Sequence, residues 1–332
     1  KPLAYLPPPA SRFTPTIGQL VRIPLGKRSV LGIIQNPTVE VDLPPDKLKH
    51  VYEIIYPEPV MTPETLQLAH WMQTYYAAPP ESLFESMIPA PVRRGMKPKI
   101  EKYLEHARKA EDPELKTLEK RAPKQAELYH FLREQLGPVA KKNIIQRLKI
   151  QATSCQKLIE SGLIRETTQT REREAYKDEF SEADSVAYQP VQLNPEQSSA
   201  ASDLIQSLRK KKYQSHLLHG VTGSGKTEVY LEAIQEVLRE GGDVIFLVPE
   251  VALTPQTVSR MRSRLEDTGM KTVVWHSMLS SGERFDGWMS LARGDAHVVV
   301  GARSAVFAPL ANLRLIIVDE EHDPAYKQGE NP

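Results

Sequence analysis

The stretch Gly220-Val221-Thr222-Gly223-Ser224-Gly225-Lys226-Thr227 lies between an apolar run at 216–219 and a segment of helical periodicity over 226–239. It fits the pattern G-x-x-x-x-G-K-[ST], which between a strand and a helix is typical of loops that bind nucleotide phosphates. The glycines let the backbone wrap closely around an anion, so that successive N–H groups point at it from the helix N-terminus. We therefore expect a nucleotide site, in which Lys226 reaches the β- and γ-phosphates and the Thr227 hydroxyl binds Mg²⁺.

Apolar runs of strand length alternate with helical segments around this loop. The runs lie at 216–219, 244–248, 272–276, 297–300 and 315–319, and the helical segments lie among them at 226–239, 256–265 and 283–293. Alternation of this kind favours a parallel sheet covered by helices on both faces. We therefore predict an α/β domain over residues 186–332.

An acidic group follows the last of these apolar runs. The residues Asp319-Glu320-Glu321-His322 come directly after 315–318, where a buried strand would place Asp319 near the Mg²⁺ of a nucleotide and Glu320 near an attacking water. Taken alone, an apolar run followed by acids is more often a strand end and its turn. Downstream of a phosphate loop, in the same predicted sheet, the catalytic interpretation is favoured, and His322 completes a D-E-x-H box.

Residues 1–100 predict a small β-rich domain. Short apolar runs at 19–23 and 30–34 are interrupted by proline and glycine, a pattern typical of strands between turns. A helix follows, because Thr62-Pro63-Glu64 offers an N-cap, a proline at the first helical position and an acidic first turn. Tyr75 and Tyr76 in that helix are equally open to two interpretations, a role in binding or a place among the core aromatics, which is the more common outcome for a stripe at helical spacing.

Residues 101–185 have a different pattern. Helical segments at 123–136, 139–148 and 153–161 precede a β-like run at 163–170. Three short helices followed by a hairpin are the outline of a winged-helix domain, a relative of the helix-turn-helix that binds DNA. A plain three-helix bundle without DNA contact stays open as the alternative.

The composition is that of an ordinary globular chain. Of 332 residues, 40% are apolar and 26% are charged, and 43 basic residues against 42 acidic ones leave a net charge of +1. DNA binding would therefore need local basic surfaces, such as those at 165–173 and 209–212, either of which could instead be a solvated surface. The one cysteine, Cys155, excludes an intrachain disulfide and a cysteine-cluster zinc site and fits a cytoplasmic location. The apolar runs are too short to cross a membrane, so we expect no membrane partner.

Several longer stretches resemble one family of superfamily 2 helicases. In chain order they are 18–27, 31–34, Leu193-Asn194-Pro195-Glu196-Gln197, 220–230, Val248-Pro249-Glu250-Val251-Ala252-Leu253-Thr254-Pro255-Gln256, Gly301-Ala302-Arg303-Ser304-Ala305, Asp319-Glu320-Glu321-His322-Asp323 and Tyr326-Lys327-Gln328. From the phosphate loop onward they follow the order of a first motor lobe, and the chain is similar to the primosomal protein N′ (PriA) family. One departure is the segment 12–16, which is shorter than the aromatic–Asp–aromatic hairpin that the family carries there.

The resemblance implies a role for each matching residue. ATP and Mg²⁺ are the expected cofactors, with Gln197 contacting adenine, residues 220–227 holding the phosphates, and Thr227 and Asp319 binding Mg²⁺. The expected catalytic residues are Lys226, Asp319, Glu320 and His322. The expected DNA contacts are Glu250, Thr254, Gln256, Arg303, Ser304, Tyr326 and Lys327. For Glu250 and Arg303 a solvated loop end stays open as the alternative.

The resemblance also implies a function for the whole family member. This is an ATP-dependent DNA helicase, moving 3′ to 5′, that recognises stalled or branched replication forks and initiates primosome assembly and replication restart. Its RecA-like motor lobe would follow a 3′-end-binding domain and a winged-helix domain. The implied partners are forked and single-stranded DNA, the single-stranded-DNA-binding protein and the proteins that load the replicative helicase. Zinc is expected in the full-length family member but not in these residues.

The chain is expected to be part of a longer polypeptide, because it begins without Met and stops soon after a motif. The family's second lobe and arginine finger would lie beyond Pro332, so we expect weak nucleotide binding and negligible hydrolysis by these residues alone. Two alternatives stay open, a fork-binding protein with a vestigial motor and a P-loop kinase. Lys226 and Glu320 disfavour the first, and the D-E-x-H box disfavours the second.

Overall fold

A computed structural model describes residues 3–8, 14–40, 44–170, 173, 192–221, 223–253, 258, 265 and 269–327. The chain divides into two compact units. The first combines Lys1–Met96 with Arg173–Pro332, and the second is Lys97–Glu172. The N-terminal part and the motor part therefore belong to one compact unit, whereas the bounds of three separate domains at 1–100, 101–185 and 186–332 stay a prediction.

The N-terminal part of the first unit contains a small antiparallel sheet. Its strands are β1 (Leu20–Leu25), β2 (Arg28–Ile33) and β3 (Glu53–Ile54), in the order β2-β1-β3. Leu25 pairs with Arg28 across a two-residue turn in which Gly26 has φ +60°, a left-handed conformation that glycine adopts without steric cost. Just before β1, Gly18 also has positive φ, and a Cβ there would overlap the carbonyl oxygen of Met61. The predicted β-rich start of the chain is confirmed.

Three helices follow this sheet. They are α1 (Pro63–Tyr75), α2 (Pro80–Met87) and α3 (Ala90–Arg93). The predicted start of α1 is confirmed, because the Thr65 amide donates to the Thr62 hydroxyl at 3.2 Å and completes a capping box. Of the two interpretations of Tyr75 and Tyr76, the one that makes them core aromatics is wrong. Both are exposed, and Tyr75 stacks on the exposed Trp71 with ring centroids 4.8 Å apart.

The second unit surrounds a three-stranded antiparallel sheet. In chain order its elements are β4 (Ile100–His106), α4 (Asp112–Arg121), α5 (Pro123–Glu134), β5 (Val139–Ala140), α6 (Lys141–Leu148), α7 (Ala152–Glu160) and β6 (Ile164–Thr170), with strand order β5-β4-β6. The run predicted to fold back as a wing is a strand, β6, but it pairs over its whole length with β4, which precedes the helices. Cys155 lies in the core of this unit, and burial raises the pKa of its thiol.

The motor part of the first unit carries the predicted parallel sheet. Its elements are α8 (Pro195–Arg209), α9 (Lys226–Arg239), β7 (Asp243–Leu247), β8 (Thr272–Trp275), α10 (Ser281–Arg293), β9 (Val298–Gly301) and β10 (Leu313–Val318). The strands run parallel in the order β10-β7-β9-β8. β7 and β9 are wholly buried, as the central strands of a parallel sheet are. None of the helices in the described ranges has the length and apolar character needed to cross a bilayer.

One predicted strand is absent where the structure describes it. Residues 213–220 run up to the phosphate loop without joining a ladder, and Leu217 is 80% exposed. On the same sheet, β10 pairs with β7 alone among the described strands, and its residues Ile316 and Val318 are 48% and 42% exposed. A strand needs a hydrogen-bonding neighbour to be satisfied, and neither 213–220 nor the outer side of β10 has one in the described ranges.

The N-terminal part and the motor part of the first unit share one core. The indole nitrogen of Trp288 in α10 donates to the carbonyl of Val60 at 3.0 Å. Tyr56 packs against Phe285 with ring centroids 5.8 Å apart, and the apolar cluster runs from Leu20 through to β7, β8 and β9. This packing brings the loops that follow β7, β8 and β9 next to α2 and α3.

Candidate functional site

The phosphate loop ends at the first residue of α9. Gly223 and Gly225 have φ of +80° and +79°, the left-handed region that glycine occupies at no steric cost. The ammonium of Lys226 donates to the carbonyls of Gly220 at 2.9 Å and Val221 at 3.4 Å. The ammonium is therefore hydrogen-bonded to the backbone of its own loop. Binding a phosphate would replace these bonds to carbonyl oxygens with bonds to charged phosphate oxygens. Thr222, predicted to contact phosphate, lies outside the described residues.

Gln197 is close to the phosphate loop, as the resemblance implies. Its side chain accepts from the Asn194 amide at 2.9 Å and donates to the Ser224 carbonyl at 2.9 Å. A Cβ on Gly225 would overlap the Gln197 amide, so glycine at this position permits the contact. A carboxamide has two N–H donors and two acceptor lone pairs. One donor and one acceptor lone pair are left for a base edge.

Asp319 lies at the carboxyl end of β10 and is held by two tyrosines. The Tyr326 hydroxyl donates to the Asp319 carbonyl at 2.9 Å, and the Tyr230 hydroxyl donates to the Asp319 carboxylate at 3.4 Å. Burial, and then the charge of Glu320, raise the pKa of Asp319, while Lys226 acts in the opposite direction. Burial also raises the pKa of Tyr230 to about 12. Tyr230 lies one turn along α9 from Lys226, so its bond to the Asp319 carboxylate brings the helix that follows the phosphate loop against the acidic box.

The turn after Asp319 is conformationally unusual. Glu320 has φ +48°, a left-handed conformation that costs a residue with a side chain about 1–3 kcal/mol and is most often found at functional sites. His322 lies 3.6 Å from the Glu320 carboxylate, and both side chains are exposed. The catalytic pair that was predicted from the D-E-x-H box is therefore accessible.

A Mg²⁺ nucleotide suits these residues. In this class of site the ion takes a hydroxyl, one carboxylate, waters and phosphate oxygens rather than a cage of protein carboxylates. Thr227 lies at the start of α9, and the half-buried carboxylate of Asp319, whose pKa is raised, is a carboxylate that a cation would stabilise. No cluster of three metal-ligating side chains is found in the described part of the chain.

The residues predicted to touch DNA fall into three groups. Glu250 and Ser304 are engaged within the protein, since the Ser277 amide donates to Glu250 at 2.9 Å and the Trp275 indole donates to the Ser304 hydroxyl at 3.2 Å. The Ser277 hydrogen bonds lower the pKa of Glu250. Arg303 and Lys327 are exposed, and across the described ranges neither forms an ion pair. Thr254 and Gln256 lie outside the described residues.

The arginines of the two predicted basic surfaces are largely engaged in ion pairs. Arg165 pairs with Glu105 at 2.9 Å, Arg173 with the buried Asp286 at 2.7 Å, and Arg209 with Glu236 at 2.6 Å. The Asp286 carboxylate also accepts the Arg173 backbone amide at 2.9 Å. Arg165 and Arg209 are still exposed, but their charges are already balanced by acidic neighbours.

The residues predicted to touch DNA also line a cavity of about 390 Å³. The side of the cavity that the motor part forms includes Glu250, Arg303, Ser304 and Tyr326. Its other side comes from residues 85–90 and Arg93 of the N-terminal part. Arg93 and Arg94 are neighbours in the sequence, and no motif distinguishes one from the other. Only the folded structure shows that α2 and α3 line this cavity.

Comparisons with known proteins agree with these observations. The family described as "3'DNA-binding domain (3'BD)" matches residues 1–89, and the family described as "DEAD/DEAH box helicase" matches residues 194–331. Three proteins described as replication restart protein PriA are similar to the chain. The one from Bacillus subtilis (strain 168) is 30% identical over 100% of this chain and 48% of its own length. The one from Chlamydia pneumoniae is 33% identical over 96% and 41%, and the one from Haemophilus influenzae is 34% identical over 95% and 42%. The chain thus spans less than half of the length of these relatives.

Proposed function

We propose that this chain, which belongs to the PriA family of replication restart proteins, binds ATP with Mg²⁺ at its phosphate loop and DNA on the neighbouring loops as part of an ATP-dependent helicase. The observation that carries the proposal is the contact between the two motifs, since the Tyr230 hydroxyl, one turn along α9 from Lys226, donates to the Asp319 carboxylate at 3.4 Å. A phosphate-binding lysine beside an acidic strand end is the arrangement that phosphoryl transfer needs.

Each residue has a defined part in this proposal. Lys226 leaves the Gly220 carbonyl to bind the β- and γ-phosphates, and the Thr227 hydroxyl and the Asp319 carboxylate hold Mg²⁺, which neutralises developing charge when bound. Glu320 orients the attacking water. His322 lies 3.6 Å from Glu320. It would couple the attacking water to the loops of the motor part that bind DNA.

The finer biological role is also a proposal. A helicase of this kind would move 3′ to 5′, recognise stalled or branched forks, and initiate primosome assembly and replication restart in the cytoplasm. Support comes from the match of residues 1–89 to a 3′ DNA-binding domain and from the relatives, which are described as replication restart proteins. The second unit, with two short helices α6 and α7 ahead of β6, would act as a winged helix on duplex DNA. Single-stranded-DNA-binding protein and replicative-helicase loading proteins would be its protein partners.

Hydrolysis by these residues alone is expected to be negligible. The segment 213–220 leads into the phosphate loop without joining a ladder in the described ranges, so the loop lacks the ladder that would hold it rigidly. In related phosphoryl transfer an arginine finger contributes about 10³–10⁵ in rate, and the resemblance assigns that arginine to the family's second lobe. DNA-stimulated turnover by the 332-residue chain at rates typical of a helicase would contradict this.

The proposed function is tested by fluorescence anisotropy with forked duplexes that either carry or lack a leading-strand 3′ end at the junction, in a salt series. We expect tighter binding to the fork with the 3′ end at matched salt. Equal binding to both forks, with the same steep salt dependence, would mean that only backbone contacts operate. A fluorescent ATP analogue tests the motor site in parallel, and its binding should be lost in Lys226→Ala. Analogue binding that survives this change would favour a fork-binding protein with a vestigial motor.

A further inference from the structure

The cavity of about 390 Å³ has one wall from each part of the first unit. One wall is formed by the end of α2, the turn after it and α3. The other wall is formed by the loops that follow β7, β8, β9 and β10, where the DNA contacts of the motor part are expected. The two walls are fixed together by buried packing, because Trp288 is 1% exposed and donates to the Val60 carbonyl across the boundary. The cavity is therefore part of the folded unit and not a gap between loosely joined parts.

The charges around the cavity favour an anion. Three arginines, Arg93, Arg284 and Arg303, face two glutamates. Glu85 is paired with Arg93 at 2.9 Å, and Glu250 accepts the Ser277 amide at 2.9 Å. This leaves an excess of positive charge at a partly enclosed site, where the interaction with an anion is stronger than in bulk water.

Arg93 retains hydrogen-bonding capacity for such an anion. Its Nε donates to the Ile88 carbonyl at 3.0 Å, and its Nη1 donates to Glu85. These bonds use two of the five N–H donors of a guanidinium, and they hold the group against the cavity wall. Three donors are left. Arg303 has all of its donors available, because it forms no hydrogen bond or ion pair within the described ranges.

The size and the aromatic lining indicate what kind of anion fits. The volume lies at the lower end of the range of small-ligand sites, about 300–1,000 Å³. A duplex, with a major groove alone about 12 Å wide, cannot enter. Tyr326 lines the cavity, and its hydroxyl is held on the Asp319 carbonyl at 2.9 Å, so the orientation of its ring is restrained. Flat aromatic side chains beside cationic ones are typical of sites for single-stranded nucleic acid.

We propose that this cavity is a subsite for one nucleotide unit of single-stranded DNA, in which Arg93 and Arg303 bind the phosphodiester from the two walls and Tyr326 stacks on the base. The N-terminal part of the chain thereby takes part directly in holding the strand that the motor lobe moves. The proposal rests on the proposed function, because Arg303 and Tyr326 are strand contacts there. It adds Arg93, and it adds the cavity as the place where the two parts bind the strand together.

The test measures the anisotropy of a fluorescent oligothymidylate bound to the full 332-residue chain over a series of NaCl concentrations. Arg93→Gln is compared with Arg94→Gln, its exposed neighbour, which does not line the cavity. Losing one charged contact should weaken binding roughly tenfold at low salt. It should also reduce the slope of log affinity against log salt by about 0.7, the value for one phosphate of a single strand. Arg94→Gln should change neither quantity.

Glu85→Gln separates a DNA contact from a structural role of the Arg93–Glu85 pair. This variant breaks the same ion pair but keeps the arginine, so its DNA affinity should equal or exceed that of the unchanged protein. Loss of affinity in both Arg93→Gln and Glu85→Gln, with equal shifts in melting temperature, would overturn the proposal. Arg93→Gln and Arg303→Gln should also be non-additive when combined, since both groups bind one phosphodiester.

Arg303→Gln distinguishes failure of this proposal from failure of the proposed function. If Arg303→Gln weakens binding and Arg93→Gln does not, the lobe binds the strand without the N-terminal wall, and only the subsite is wrong. If neither change alters affinity or salt slope, the strand contacts of the motor part are wrong as well. Loss in both, with the control Arg94→Gln unaffected, supports the subsite.

Discussion

The two sides of the motor sheet differ in how far tertiary contacts cover them. On the β8 side, Trp275 packs on Trp288 with ring centroids 5.3 Å apart, and both lie in a core continuous with the N-terminal helices. On the β10 side, Ile316 and Val318 are exposed, and the segment leading to the phosphate loop joins no ladder. The side that carries Glu250, Arg303 and Ser304 of the expected DNA contacts is thus braced by this chain, whereas the side that carries the phosphate loop is only partly covered.

This difference relates packing to function. Each Å² of apolar surface removed from water contributes about 25 cal/mol, so the braced side gains stability that the open side lacks. Loops on the braced side are held in position, whereas the phosphate loop depends on α8 and α9 and on the bond from Gln197 to Ser224. We therefore expect DNA binding by this chain to be more robust than nucleotide binding.

Hydrogen exchange should show the largest contrast. Amides in β7 and β9 should exchange only through global unfolding, which costs about 5–15 kcal/mol in ordinary domains. Amides of residues 213–220 should exchange with almost no protection, since they join no ladder. The measurement is native-state exchange followed by mass spectrometry of peptides. Comparable protection of the two regions would mean that the open side is closed in solution.

Trp288→Ala should destabilise the first unit by about 3–5 kcal/mol, the usual loss for a large buried aromatic. Urea denaturation followed by fluorescence or circular dichroism measures this. Trp288→Phe keeps much of the packing and should lose less. Ile316→Ala, on the exposed side, should change stability by at most about 0.5 kcal/mol. Similar losses at Trp288 and Ile316 would remove the difference between the two sides.

Tyr326→Phe should lower stability by about 0.5–1.5 kcal/mol, because it removes the 2.9 Å bond to the Asp319 carbonyl. Tyr230→Phe should lower it less, since the bond to the Asp319 carboxylate is longer, at 3.4 Å. Both variants keep the aromatic ring, so the comparison isolates the hydroxyls. A greater loss of stability for Tyr230→Phe would mean that Asp319 is held more strongly through its carboxylate than through its backbone carbonyl.

Carboxylates on the two sides should affect stability with opposite signs. Burial raises the pKa of Asp319 above its unfolded value, so the folded state loses stability as pH rises through that raised pKa, and Asp319→Asn should stabilise the protein near pH 7. The Ser277 hydrogen bonds lower the pKa of Glu250, so its contribution is present above the unfolded pKa and is lost as pH falls through the folded pKa. Glu250→Gln should therefore destabilise near pH 7. Both differences should vanish in acid, where each carboxyl is protonated in both states, and urea midpoints across pH measure them.

Arg209→Gln should have a small effect, at most about 1 kcal/mol, because the arginine of its ion pair with Glu236 is exposed. The same variant tests whether the basic stretch at 209–212 contacts DNA. With its charge already balanced by Glu236, the salt slope of DNA binding should not change. A slope reduced as much as in Arg93→Gln would make this stretch a phosphate contact.

Local sequence patterns predicted the elements that depend on neighbouring residues. The start of α1 at Thr62 follows from a capping box within four residues, and the parallel sheet follows from buried runs such as β7 and β9. These local patterns failed for strands, because the strand with which a segment pairs can be far away in the chain. The run at 216–219 is strand-like in composition but has no ladder in the described ranges. The pairing of β6 with β4 joins strands that are separated by four helices.

By itself, the amino-acid sequence determined the phosphate loop and the acidic box, because their chemistry depends on residue type at fixed short spacing. Tertiary structure alone decided which arginine faces the cavity. Arg93 and Arg94 are adjacent and chemically identical, yet only Arg93 lines it, since α3 packs against the motor part by one face. The same packing left Trp71 exposed and buried Trp288. Burial depends on what the fold brings against a side chain, and spacing along one helix does not carry that information.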